Sequence, residues 1–365
     1  MKKRICYILL ILCMVMLLPC VVLADGGSDE AGANVFTDTL FTNKTGVKYL
    51  DENGVTQTCN DYTIVTSDTT EWGTGWYVVR EDVAIDHQVQ VTGDAKLILC
   101  DDATLTVTVT TSLYDLEGLR ISKNSLMSIY GQMRQSGALS VTSKDADDIT
   151  DSGGGRCGLW NNGTLTINGV TVEAMVYTNG WSGNSTDLWN NGTLTINGGT
   201  LLAVGEGGTS VCGIFNNGEM NILGGTVTAT AGSTADDEHV GVVYGIINYG
   251  ALSIRGGTVT ATATDVNGNA NRIKAIVMYD GSLTLPDSYK WRTAEDGIFT
   301  QHICTLPHYT PGEETYAQII VPGDVPYHAF GTWIDEDPAT CTENGIRTAP
   351  AAKSILTRMT KRSPT

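Results

Sequence analysis

The chain is poor in what helices and most active sites are built from. No stretch beyond residue 24 repeats apolar residues at a 3.6-residue period, which excludes helical repeats of the leucine-rich or tetratricopeptide kind. Histidine occurs only five times; His87 and His239 alone fall in the repetitive region, neither with an evident triad partner. Basic residues number 22 against 40 acidic ones. So acidic a chain repels phosphate backbones, which excludes nucleic acid and a bare anionic membrane as partners.

The first residues address the compartment. Lys2, Lys3 and Arg4 precede an unbroken apolar run over 5–18, and Val22-Leu23-Ala24 supplies the small residues a signal peptidase reads. The run is short for a membrane span and no stop-transfer pattern follows. We expect a signal peptide over 1–24, secretion or cell-surface display, and no transmembrane segment after cleavage. Cleavage removes three of the basic residues and none of the acidic ones, leaving a net charge of −21. Six cysteines then remain without any zinc-type spacing. Cys157 and Cys212 occupy equivalent places two repeats apart, about 10 Å if the repeats stack, which is beyond disulfide reach. Buried thiols are expected.

What the chain does have is repetition. The phrase LWNNGTLTING occurs at 159–169 and again at 188–198, and two looser copies start at Ile214 and Ile246. Anchored on Asn162, the register extends to 94, 124, 162, 191, 217, 249 and 280, in steps of 26 to 38 residues. Each unit reads apolar-x-apolar, as in Leu97/Leu99, Met127/Ile129 and Leu165/Ile167, which marks a strand with one buried face. Gly or Asn-Gly corners separate three short strands per unit. Similar units running in one direction predict an all-β fold, a single-stranded right-handed parallel β-helix of the pectate-lyase-like kind. Leu159, Leu188, Ile214, Ile246 and Val277 should form one interior stack, and Asn161, Asn190, Asn216 and Asn248 an asparagine ladder at the next corner. The organisation expected is a flexible leader over 25–46, the β-helix with an N-terminal cap over 47–290, a closing β element over 291–326, and a linker with a partial second repeat over 327–365.

Four passages, at 49–79, 91–107 and 125–132 and in the NNGTLTINGGT units, resemble exported β-helix surface proteins of anaerobic Gram-positive gut bacteria, an adhesin-like or carbohydrate-binding-domain family. The resemblance covers roughly 47–300 and implies a surface module that binds carbohydrate without cleaving it. Residues 328–348 resemble a second repeat of such proteins that normally continues with a Cys-x-x-Cys. Here the text turns to APAAKSILTRMTKRSPT, which reads as a truncated or frame-shifted frame or as a basic tail, and any cell-wall association would run through regions missing there.

The residue after each interior stack position points outward: Trp160, Trp189, Phe215, Ile247 and Met278. An aromatic row suits a sugar, because C–H faces pack on π surfaces while hydroxyls stay hydrated. Tyr177 and Trp181 in the following loop join the candidate ligand face. The plain alternatives are a row that stacks on itself or lies under that loop. A plant or mucosal glycan is the expected partner. No catalytic residue and no cofactor are assigned. The acidic loop residues Asp147 and Asp148, with Asp145 and Asp151, and Asp236, Asp237 and Glu238 are weak calcium candidates, since calcium needs converging oxygens and charge runs are usually solvated. Two other functions stand beside this one: a structural stalk without a ligand, and a polysaccharide lyase or hydrolase acting on pectin-like glycans. A hydrolase needs an acid and a base either side of a scissile bond, and Asp236-Asp237 two residues from His239 does not supply that spacing.

Overall fold

Alternating Thr and apolar residues between glycine corners produce strands and nothing else: no helix occurs among the described residues. The computed structural model describes residues 45–111, 117–146, 156–178, 184–207, 210–233, 241–268, 270–301, 310–322, 334–337 and 346–348. The expected signal peptide and nearly all of the leader lie outside them. So do Trp181, Asp147, Asp148, Asp151, Asp236, Asp237, Glu238, His239, Cys304 and Cys341.

Three sheets of stacked parallel strands make a β-helix. The first has eight strands, from Glu71–Trp72 to Arg272–Met278. The second has nine, from Thr63–Ile64 to Ser282–Thr284. The third has ten, and its strands are not short: Val170–Thr178, Gly199–Gly207 and Gly257–Asp265 each run nine residues. Equivalent residues lie rung on rung, Leu159 on Leu188 on Ile214 on Ile246, and all four are fully buried. One coil cannot enclose its own apolar face, so burial needs the next coil; that is why the phrase repeats.

Glycine is required at two corners. Gly192, Gly218 and Gly250 pass so close to the preceding coil that a Cβ on each would strike the carbonyl of Gly163, Gly192 and Gly218 respectively. Gly199, Gly225 and Gly257 take left-handed φ values of 86°, 80° and 83°, open to glycine without strain. The asparagine ladder forms as expected. Asn161, Asn190 and Asn216 each donate an amide N–H to the next rung's carbonyl oxygen, at 2.7, 2.7 and 2.6 Å, and all are fully buried.

Two expected registers are corrected. Ile129 pairs with Leu97 and Met127 with Ala95, so the coil anchored at 94 sits two residues from its expected place. A slip of two leaves every inward residue inward, so Leu97 and Leu99 are buried all the same. At the last coil the slip is one: Ile246 pairs with Ile276 and Ile247 with Val277. Ile276 therefore takes the interior place expected for Val277, Val277 the outward place expected for Met278, and Met278 the position of the ladder asparagine. The cause is a corner one residue longer, Met278 to Ser282 where the coil before has Asn248 to Ala251.

The N-terminal end carries one hairpin beside the first coils. Only Val47–Leu50 and Thr56–Cys59 form an antiparallel hairpin. It braces the outer face of the second sheet, where Val47, Cys59 and Tyr62 bury Val78 and Ile98. The coils already begin at Thr63, and Val65 and Trp72 belong to the main core. At the other end Tyr316–Val321 pairs antiparallel with Gly257–Asp265 and carries Lys290–Arg292 on its far side, closing the third sheet. Ile334–Asp337 and Ile346–Thr348 form a separate two-stranded pair. Of the cysteines, Cys157 and Cys212 are buried free thiols, Cys59 is buried and Cys100 is half-buried; Thr186 separates Cys157 from Cys212 in register.

Candidate functional site

The outward residues of the first sheet form a continuous aromatic ladder. Trp160 stacks on Trp189 with centroids 5.4 Å apart and planes 18° from parallel. Trp189 meets Phe215 at 4.4 Å. The next outward residues are Ile247 and Val277, both buried, yet the ladder does not stop. Tyr249 stacks on Phe215 at 5.5 Å and Tyr279 on Tyr249 at 4.7 Å and 10°. The two tyrosines stand at the corner, two residues beyond the strand position, and swing their rings back into line. The Arg120 guanidinium lies 5.5 Å from the Trp160 ring centroid, extending the row by a cation–π contact.

Tyr249 and Tyr279 were not read from the sequence, although the sequence carries a signal. Where the outward residue is aromatic, the corner residue is Asn162, Asn191 or Asn217; where it becomes Ile247, the corner residue becomes Tyr249. The corner asparagines have a use of their own. Asn162 Oδ1 accepts the Trp160 indole N–H at 2.8 Å, and Asn191 Oδ1 that of Trp189 at 2.9 Å. Asn191 in turn donates to Asn162 Oδ1 at 3.0 Å, and Asn217 to Asn191 Oδ1 at 3.3 Å. This second, outer asparagine row fixes both indoles in one rotamer.

The rings are half-buried at the tryptophan end and open at the tyrosine end, where Tyr249 and Tyr279 are 39% and 43% exposed. A groove of about 200 Å³ runs beside them, lined by Trp189, Phe215, Tyr249 and Tyr279 and by the hydroxyl-bearing Ser185, Thr186, Ser210 and Tyr244. No carboxylate and no histidine is among its lining residues. Burial, and then Tyr279 beside it, pushes the Tyr244 phenol up to about 12, so it stays a neutral donor. Burial also holds the thiols of Cys157 and Cys212 well above their ordinary value, which leaves them protonated and unreactive.

Two expected site residues belong elsewhere. Tyr177 is exposed but lies on the third sheet, paired with Lys144 and Glu206, and is not among the residues lining the groove. Its side chain emerges from a different face because residue 177 lies near the end of the third-sheet strand Val170–Thr178. Asp145 is not a solvated loop charge: it ends the strand Ala138–Asp145, fully buried, in an ion pair with the equally buried Arg156. Among the described residues no group of three or more His, Cys, Asp or Glu is placed to hold a metal ion. No protein-family model, curated protein or solved structure matches this chain.

Proposed function

We propose that this chain is an exported β-helix module that binds carbohydrate, without cleaving it, along the aromatic ladder of its first sheet. The observation that carries the reading is a row of five rings, four of which line a groove whose other walls mix apolar residues (Val211, Cys212, Val242, Ile247) with the hydroxyl-bearing Ser185, Thr186, Ser210 and Tyr244. A sugar offers both kinds of surface at once, apolar C–H faces and hydroxyls, and a mixed wall of rings and hydroxyls answers both. The indoles are held by Asn162 and Asn191 before any ligand arrives, so binding costs little side-chain ordering. The signal-peptide-like residues at the N-terminus support secretion, and a plant or mucosal glycan is the partner proposed for such an exported module.

A structural stalk is the second reading, and one observation favours it: the rings stack on each other, so part of every aromatic face is already used. The two readings part in a single experiment. On a glycan array followed by titration calorimetry, Trp160→Ala/Trp189→Ala should lose at least about tenfold in affinity, the equivalent of one to two lost aromatic contacts, with circular dichroism unchanged. Undiminished binding would sink the ladder as the site, and no glycan bound by the wild-type chain would leave the stalk.

A further inference from the structure

The groove is uncharged, but its Tyr279 end is not. Arg272 opens the last strand of the first sheet and pairs in register with Val242, a groove residue. It keeps the parity of Lys274, which pairs with the groove residue Tyr244, so it lies on the ladder face. Arg272 is exposed, and its positive charge draws the Tyr244 phenol down against burial and Tyr279, which raise it. Unlike its neighbours it has no ion pair among the described residues. Lys274 is held by Glu313 at 2.6 Å, and Arg120 at the opposite end faces Glu117 at 3.5 Å. Asp280, next to Tyr279, forms no ion pair with Arg272.

We propose that the ladder groove takes an acidic glycan, whose carboxylate or sulfate is seated on Arg272 beside Tyr244 and Tyr279. This rests on reading the ladder as a carbohydrate-binding face. The chain's net charge of −18 works against a polyanion as it does against nucleic acid, but at physiological salt a charge is screened beyond about 8 Å, so one acidic group can still be held locally. What an anion feels in the groove is the nearest cation, not the whole surface. A planar guanidinium gives a carboxylate or a sulfate two parallel hydrogen bonds, the strongest form of that contact. Along the stack Arg272 lies five rung steps from Arg120, about 24 Å at the usual strand spacing, and five residues to one side of the ladder row, which Val277 occupies on that strand. The acidic sugar therefore sits at one end of a bound chain, and the rings take the sugars that follow.

The test uses the full chain with EDTA present, so that no bridging cation contributes. Oligogalacturonate, the same oligomer fully methyl-esterified, and a sulfated galactan oligomer of equal length are titrated against wild type, Arg272→Gln and Arg272→Lys. Wild type should bind an acidic oligomer at least tenfold tighter than the esterified one, and its affinity should fall with salt. Arg272→Gln should lose that preference while keeping its affinity for the esterified oligomer, and Arg272→Lys should recover part of it. Whichever acidic oligomer binds tighter identifies carboxylate or sulfate as the seated group. Equal wild-type affinity for acidic and esterified oligomers, or a preference that survives in Arg272→Gln, overturns the seat on Arg272 and leaves the ladder reading standing. A wild type that binds no oligomer overturns both.

Discussion

Asp187 stands opposite Gly158 and Gly213, in a place where neighbouring coils have no side chain. Its carboxyl is fully buried. Oδ1 accepts the Val176 N–H at 2.9 Å, and Oδ2 has no partner among the described residues. Gly205 leaves room for both oxygens, which a Cβ there would strike. Burial raises the Asp187 carboxyl well above its ordinary 3.8. The unfolded chain therefore gives up this proton at lower pH than the folded one. Stability from this group is greatest below about 4 and declines as pH rises towards the folded value, because ionising the folded carboxyl leaves a charge in the core. Asp187→Asn keeps an acceptor for Val176 and removes the charge. Its melting temperature should exceed wild type at pH 7.5, and the gain should vanish at pH 4; a constant difference across that range would refute the linkage. The aspartate is visible in GNSTDLWN against GRCGLWN, but its burial is not. Alternation from Leu188 sends residue 187 outward, and the pairing irregularity that turns it inward leaves no trace in the letters.

At the scale of one strand and its corner, the outcome depended on whether a misread step was even or odd. The two-residue error near Leu97 cost nothing, since side chains alternate with period two, whereas the one-residue error near Val277 exchanged the inside with the outside. The interior stack and the buried asparagine row were legible because strict repetition supplies its own alignment. The tyrosine half of the ladder was not, because there the ring leaves the strand for the corner and only space brings it back into line. The buried asparagine row also carries much of the local stability. Asn190 accepts from Asn161 and donates to Asn216 Oδ1 and to the Glu219 carbonyl at 2.7 and 3.0 Å. Asn190→Ala takes a partner from two buried groups, the Asn161 amide and Asn216 Oδ1, at about 1–3 kcal/mol each, and from the part-buried Glu219 carbonyl, so chemical denaturation should show a loss of about 2 kcal/mol or more. Asn191→Ala, on the exposed outer row, should cost under about 1 kcal/mol. Equal losses at both positions would contradict the division between a structural row and an indole-holding row.

For the whole molecule the governing problem is that a stack of parallel coils has two ends, each presenting unpaired backbone. The interior is plugged at both: Trp72 and Tyr289 are the two largest rings buried completely within the main core, one near each end. The third sheet has the most to hide, because Gly257–Asp265 is a nine-residue edge of Thr, Val and Ala with one charge at its tip. Such a strand is a template for pairing with another copy of itself. Tyr316–Val321 covers it with an antiparallel register from Gly257 to Thr262, and Ala317, Ile319 and Val321 point into the core. Antiparallel closure matters, since a strand running the other way does not present the repeat's own edge again and the stack cannot continue. Ile319 pairs with Val259 on one side and Trp291 on the other, so Ile319→Pro removes a ladder N–H in mid-sheet, at a cost of about 3 kcal/mol or more. With the closing strand displaced, light scattering after size-exclusion chromatography should find concentration-dependent oligomers, while Ile319→Val stays monodisperse like wild type. A monomeric Ile319→Pro variant with native circular dichroism would mean that the closing strand does not guard this edge.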